Sequence, residues 1–135
     1  MEKNPTLLVV AAALVRADGR VLLQQRPQGK AMAGLWEFPG GKVEPGERPE
    51  PALARELAEE LGISVAEDAL VPAAFASATL GDRHLLLLLY LCRSWEGVPE
   101  ALDATALRWA TPAEMRTLPM PPADVPLVDA LAGLL

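Results

Sequence analysis

Two apolar runs limit what this chain can fold into. One is LLVVAAALV at residues 7–15, and the other is HLLLLLYLC at residues 84–92. Both are far shorter than the ~20 residues that a membrane-spanning helix needs. The second run is typical of a buried strand, because it has no alternation of apolar and polar residues. The first ends at Arg16, Asp18 and Gly19, a turn signal rather than a signal-peptide cleavage region, so it predicts a strand that leads into a hairpin.

Local signals predict the remaining elements. VLLQQ at 21–25 is the second strand of the hairpin, and a helix is expected from about Pro51 to Leu61, closed by Gly62 as its C-cap. A sheet with helices packed on it follows, of class α/β (α+β). The other expected elements are strands at 63–65, 71–80, 85–95 and 106–110, a turn at 81–82, a capping box at 111–114 that opens a short helix, and an apolar helix at 127–135.

Composition restricts the class of protein. The 135 residues are 51% apolar and 22% charged, which suits one globular domain spanning 1–135 without repeats. The single cysteine, Cys92, excludes an internal disulfide and favours a reducing, cytoplasmic setting. The net charge of −6 argues against a nucleic-acid polymer as partner. A small phosphate ligand remains compatible, since a bound cation can reverse the local field.

A loop rich in glycine and proline, residues 26–51, precedes the predicted helix. Its sequence is RPQGKAMAGLWEFPGGKVEPGERPEP, and loops of this length inside a compact domain are usually functional. In the helix itself, Glu56, Glu59 and Glu60 lie within an arc of roughly 100° beside a leucine stripe. They form either a solvated face, partly offset by Arg55, or a cation site, because divalent ions bind clustered oxygen ligands.

The context of those glutamates resembles a known motif. Residues 41–63, GKVEPGERPEPALARELAEELGI, match every specified position of the Nudix box, GX5EX7REUXEEXGU, where U is a bulky aliphatic residue. The resemblance implies the Nudix α/β/α sandwich with a mixed β-sheet, and hydrolysis of a nucleoside diphosphate linkage that depends on Mg²⁺, with Mn²⁺ as an alternative. The metal ligands that the resemblance implies are Glu56, Glu59, Glu60 and the Gly40 carbonyl.

The same resemblance implies supporting roles around the metal. Glu56 is the first candidate to double as general base. Arg55 would hold the carboxylates in place, and Glu47 would orient the loop or the outer shell of ligands.

Three further stretches, AGLWEFPGGK, DRH followed later by SWEG, and PMPPADVP, are similar to the MutT branch of the family. That branch splits 8-oxo-dGTP into the monophosphate and pyrophosphate, by attack of water on the β-phosphorus. Its partner is a small nucleoside triphosphate, with no membrane, and the protein is a monomer or a homodimer. The substrate contacts that the resemblance implies are Arg26, Glu37, Phe38, Pro39, Gly40, Lys42 and Arg83. As an alternative to substrate contact, Arg26 and Arg83 could be exposed charges at strand ends.

Two positions depart from the MutT pattern. Asp103 stands where MutT-like proteins place a loop glutamate near the metals, and Glu100 is a nearby alternative. Asp124 stands where MutT has an asparagine that reads the oxidised guanine. An ionised aspartate only accepts hydrogen bonds, whereas a protonated one both donates and accepts. This version also resembles the branch that hydrolyses CTP and modified cytosine nucleotides, and Asp124 could alternatively cap the last helix.

These observations predict a Mg²⁺-dependent nucleoside triphosphate pyrophosphohydrolase, with 8-oxo-dGTP as the first candidate substrate. The alternative substrates are CTP and 5-methyl-dCTP. Two other classes stay open at this point: a non-catalytic nucleotide-binding Nudix module, and a structural protein whose acidic helix is only a solvated face.

Overall fold

The computed structural model of the chain describes residues 6–135, which form a mixed α+β fold. A short 3₁₀ helix, Glu67–Ala69, precedes the fifth strand. The described strands and α-helices are β1 (Thr6–Leu14), β2 (Val21–Gln25), β3 (Trp36–Glu37), β4 (Gly40–Lys42), α1 (Pro49–Leu61), β5 (Val71–Leu80), β6 (Arg83–Cys92), β7 (Ala106–Ala110), α2 (Pro112–Met115) and α3 (Val125–Ala132).

The strands form two sheets. The first has four strands in the order β4-β1-β6-β5, with β1 parallel to β6 and the other pairs antiparallel. The second has three antiparallel strands in the order β3-β2-β7. The predicted class and the mixed sheet are therefore confirmed.

Strand β1 contributes to hydrophobic core on both of its faces. Ala11 and Ala13 pack in a cluster that includes Leu127 and Leu131 of α3. The alternate residues of β1, such as Val10, belong to a second cluster with the leucine stripe of α1. Because successive side chains of a strand point to opposite faces, an apolar run without alternation suits this position between two helical layers.

The predicted hairpin between β1 and β2 exists only at its base. The turn at 17–19 is present and Val15 pairs with Val21, but the two strands then enter different sheets. The prediction was wrong because both edges of β1 are taken by β4 and β6. Strand β2 consequently pairs with β3 and β7.

Local end signals were more reliable than strand limits. Gly62 closes α1 in the left-handed conformation with φ 70°, and Thr111 and Glu114 form the expected capping box. Residues 63–65 were wrongly predicted as a strand, since only a Ser64–Glu96 bridge forms there. Other limits differ too: α1 begins two residues earlier than expected, β6 ends at 92 rather than 95, and α3 spans 125–132 rather than 127–135. No helix within residues 6–135 is long and apolar enough to cross a membrane.

Candidate active site

A cavity of about 570 Å³ lies between strands β1, β2, β5 and β6, helix α1, the loop at residues 26–51 (the glycine loop) and the segment before α3. It brings together most of the residues that the sequence singled out. Pro39, Glu47, Arg55, Glu59 and Arg83 do not line it. The candidates that do line it are Arg26, Glu37, Phe38, Gly40, Lys42, Glu56, Glu60, Asp103 and Asp124.

Two glycines of β4 allow the loop to lie against both β1 and α1. Gly40 pairs with Ala11 of β1, and a Cβ atom at Gly40 would collide with the backbone of Val10. At Gly41, a Cβ atom would collide with the carboxylate of Glu56. Glycine is required at Gly40, where the backbone of Val10 approaches, whereas a methyl group at Gly41 would displace the flexible end of the Glu56 side chain. The loop can therefore present its backbone beside the acidic helix.

Arg55 organises the outer side of this helix. Its Nε and Nη2 donate to the two carboxylate oxygens of Glu47 at 2.9 and 2.8 Å, and its Nη1 donates to Glu56 Oε1 at 2.8 Å. Glu47 also accepts the backbone N–H of Glu44 at 2.9 Å. The hydrogen bonds from Arg55 lower the pKa of Glu47 to about 2. Arg55 and Glu47 thus have the contacts expected of groups that orient the loop and the carboxylates.

The three helix glutamates have different surroundings. Glu60 accepts hydrogen bonds from Gln24 Nε2 and the Gly40 N–H, both at 3.2 Å, and burial raises its pKa to about 7. Burial also raises the pKa of Glu56. Glu59 is exposed and reaches Arg55 Nη1 at 3.5 Å. Since Glu56 and Glu60 line the cavity, the interpretation of the helix as only a solvated face is wrong.

The donor set fits a divalent cation. Within residues 6–135, no group of three or more acidic, histidine or cysteine side chains is already arranged as a metal-ion site. However, the charges of Glu56 and Glu37 help to raise the pKa of Glu60, and the charge of Glu59 helps to raise that of Glu56. A cation would relieve this repulsion, and carboxylate oxygens are ligands that Mg²⁺ prefers.

Arg26, Glu37 and Asp124 also line the cavity. Arg26 Nη1 donates to both carboxylate oxygens of Glu37 at 3.0 and 3.2 Å. Arg26 is therefore not an exposed charge at a strand end. Burial outweighs this ion pair and raises the pKa of Glu37. Asp103 is exposed at the rim, and its charge raises the pKa of Glu37 further.

Asp124 is one of the two buried polar residues in the described chain, with 6% exposure. Its Oδ2 accepts the backbone N–H of Phe38 at 3.2 Å. Burial raises its pKa to about 7, and the charge of Glu37 adds to the effect. Although Asp124 precedes α3, its side chain makes no capping hydrogen bond. The helix-cap interpretation is therefore wrong.

Arg83 and Gln24 differ from what the sequence suggested. Arg83 begins β6 outside the cavity lining, and its buried Nε has no hydrogen-bond partner within residues 6–135. Its contact with substrate stays a prediction. Gln24 was missed, yet it lines the cavity and donates to Glu37 and Glu60. Its only sequence signal is a polar residue at the end of an apolar strand.

Comparisons with known proteins agree with this site. A family model described as a NUDIX domain matches residues 10–130. The chain is 41% identical over 128 residues to the CTP pyrophosphohydrolase of Escherichia coli (strain K12), covering 95% of this chain and 93% of that protein. It is 33% identical over 128 residues to the 8-oxo-dGTP diphosphatase of the same strain, covering 94% and 98%. The crystal structure of the MutT NUDIX hydrolase from Burkholderia pseudomallei has a TM-score of 0.84 at 29% identity, covering 95% of this chain and 98% of that one.

Two observations define the class of protein: the fold matches the MutT NUDIX hydrolase structure, and the glutamates of α1 lie beside Gly40 and Gly41 in one cavity. Together with the family match, they show that the chain belongs to the Nudix family. It is a Nudix hydrolase, an enzyme that acts on acid anhydrides. Members of this family generally need a divalent metal and act on small nucleotide substrates. The predictions of family and enzyme class are thus confirmed.

Proposed function

We propose that the protein is a Mg²⁺-dependent pyrophosphohydrolase of nucleoside triphosphates that releases the monophosphate and pyrophosphate. One observation carries the proposal. A single cavity is lined by the carboxylates of Glu56 and Glu60, by Gly40 and Gly41, and by the buried Asp124. We assign Glu56, Glu60 and the two glycines to phosphates and a cation and call them the metal end, and we assign the surroundings of Asp124 to the base and call them the base end.

The metal end is assigned to Glu56, Glu60 and the Gly40 carbonyl, while Glu59, which is exposed and outside the cavity lining, stays a predicted third carboxylate ligand. When bound, Mg²⁺ neutralises charge on the phosphate oxygens and promotes ionisation of water. We assign Glu56, whose Oε1 is held by Arg55, as the general base that accepts the proton of the attacking water. Lys42 at the rim pairs with a phosphate oxygen.

The base end is assigned to Asp124, Glu37 and Phe38, with Arg26 holding Glu37 and Asp103 at the rim. With a pKa of about 7, Asp124 carries its proton in a large fraction of molecules near neutral pH. A protonated carboxyl accepts from N7–H of 8-oxoguanine and donates to O6. Unoxidised guanine offers only acceptors on this edge, so it forms one of these two hydrogen bonds and binds more weakly. We therefore place 8-oxo-dGTP first.

A cytosine nucleotide is the second candidate substrate. The 41% identity to a protein named CTP pyrophosphohydrolase favours it. Cytosine presents its amino group as donor beside the N3 acceptor, so a protonated Asp124 can bind both atoms. The two candidates therefore share one recognition chemistry and differ in the size of the base.

A competition assay tests the function and ranks the substrates. Purified protein with Mg²⁺ is given 8-oxo-dGTP, dGTP, CTP, dCTP and 5-methyl-dCTP together, and released pyrophosphate and phosphate are measured separately. We expect pyrophosphate, with 8-oxo-dGTP consumed first and dGTP much more slowly. Release of phosphate alone, or no turnover of any of the five, would contradict the proposal. Faster loss of the cytosine nucleotides would support the second candidate.

Asp124→Asn tests the residue assigned to the base. An asparagine amide donates and accepts at every pH, so we expect Asp124→Asn to keep hydrolysing 8-oxo-dGTP above about pH 7, where wild type loses the proton that donates to O6. Asp129→Asn is the matched control, because Asp129 lies on α3 with 77% of its side chain exposed. An equal loss of 8-oxo-dGTP hydrolysis above about pH 7 in wild type and Asp124→Asn would remove Asp124 from the base site. We also propose a cytoplasmic location, where the nucleotide pool lies.

A further inference from the structure

Gln24 links the two ends of the cavity through one amide group. It lies on β2 with 4% of its surface exposed, directly across the β2–β3 pairing from Glu37. Its Nε2 is 3.2 Å from Glu60 Oε1 and 3.5 Å from Glu37 Oε2. The amide nitrogen thus bridges a carboxylate of the acidic helix and a carboxylate of the base end.

The orientation of this amide follows from its partners. Both are carboxylates, and an ionised carboxylate only accepts hydrogen bonds, so the nitrogen faces them when they are ionised. Oε1 of Gln24 is then buried, with no hydrogen-bond partner in the described part of the chain. A buried acceptor without a partner is destabilising. Leu22, two positions earlier on the same face of β2, avoids this cost with an apolar side chain. Stability alone therefore does not favour glutamine at position 24.

We propose that Gln24 is a positioning residue that holds Glu60 at the metal end in register with Glu37 at the base end. The inference deepens the proposed function and rests on it for the roles of the two ends. The two glutamates depend on Gln24 unequally. Apart from Gln24, Glu60 accepts one hydrogen bond, from the Gly40 N–H, whereas Glu37 accepts two from Arg26. Loss of the amide therefore releases Glu60 more than Glu37.

Gln24→Met tests this role, because methionine has a similar length and no amide. The hydrogen bonds from Gly40 and Arg26 stay, so neither carboxylate loses its last partner. We expect kcat to fall about 10- to 100-fold, as is typical when a group that orients a metal ligand is removed. KM should change by less than about threefold, and the thermal midpoint should stay the same or rise because the unpartnered Oε1 is gone. Leu22→Met, on the same strand face, is the matched control and should keep kcat within about twofold.

A second measurement does not depend on turnover. Binding of Mn²⁺ to the nucleotide-free protein, followed by electron paramagnetic resonance, should be about 10-fold weaker in Gln24→Met than in wild type. If the wild-type protein hydrolyses no nucleotide, the proposed function fails, while the Mn²⁺ titration still tests Gln24. Wild-type kcat and Mn²⁺ affinity in Gln24→Met would overturn the inference. So would a loss of kcat that is matched by an equal loss of folded protein.

Gln24→Asn provides a second variant that keeps a polar amide but shortens the side chain by one methylene. It should lose kcat and Mn²⁺ affinity as Gln24→Met does, because the shorter amide falls short of both carboxylates. If Gln24→Met does not fold, this variant decides the matter. Wild-type values for Gln24→Asn would then overturn the inference.

Discussion

Replacing Asp124 with asparagine should change how the stability of the protein depends on pH. The carboxyl is buried, and its pKa in the folded protein rises from an ordinary 3.8 to about 7. Because the folded value is the higher one, the stabilising contribution of the protonated group is fully present below pH 3.8. It is lost progressively as the pH rises to about 7. Asparagine does not titrate and keeps an acceptor for the Phe38 N–H.

The size of the effect follows from the two pKa values. Each pH unit between them corresponds to about 1.4 kcal/mol, so the full difference corresponds to about 4 kcal/mol. Between about pH 5 and pH 8, roughly 2–3 kcal/mol of it should appear as a loss of wild-type stability relative to Asp124→Asn. The other titrating carboxylates are present in both proteins, so comparing the two isolates the contribution of Asp124.

Urea unfolding at several pH values measures this difference. The free energies of unfolding of wild type and Asp124→Asn should be closest near pH 5, and the variant should be more stable by an added 2–3 kcal/mol at about pH 8. Asp129→Asn, an exposed change on the same helix, should follow the wild-type curve. Parallel curves for wild type and Asp124→Asn across this range would refute the argument that Asp124 is folded with a raised pKa.

Three further substitutions test the metal end. Glu60→Gln should lower kcat by about 100-fold or more while the thermal midpoint at pH 8 is kept or raised, because a buried charge is removed; circular dichroism and a turnover assay check this. Gly41→Ala should lower kcat at least about 10-fold, since its methyl group collides with the Glu56 carboxylate, and Mg²⁺ titration of the rate should show weaker activation. Gly133→Ala, where a Cβ atom would make only an ordinary contact at 3.7 Å, should behave as wild type. Arg55→Lys should lower kcat about 10-fold, because an ammonium cannot replace the two-pronged pairing with Glu47. Guanidinium added to the assay should restore part of the activity of Arg55→Lys and none of the activity of Glu60→Gln.

Sequence signals predicted those parts of the fold that depend on neighbouring residues. The C-cap at Gly62 and the capping box at Thr111 and Glu114 were predicted correctly, because a cap is decided within one turn of the helix. The pairing of β2 was not, because it depends on which strand edges are free after the rest of the chain has folded. Strands β3 and β4, of two and three residues, were missed within the glycine loop. Such short strands exist only through their partners.

In the candidate site too, features set by neighbouring residues were predictable and contacts between distant residues were not. The spacing of Glu56 and Glu60 on one helix was visible in the sequence, because helical periodicity fixes which side chains share a face. The contact between Asp124 and the Phe38 N–H was not visible, since 86 positions separate the two residues. Gln24 had only a weak signal, because a glutamine near the end of an apolar strand is chemically ordinary until two carboxylates lie next to it.

The parallel pairing of β1 with β6 has a consequence for how the protein folds. Thr6 pairs with His84 and Leu14 with Cys92. Strand β1, at the start of the described chain, therefore cannot complete its pairing until β6, which lies more than halfway along the chain, is available. Closing so long a loop costs entropy before any contact is gained, which slows folding. On the ribosome, β1 and the glycine loop therefore emerge well before their central partner does. We expect β1, whose other edge pairs with the early strand β4, to keep one edge unpaired until β6 has been synthesised.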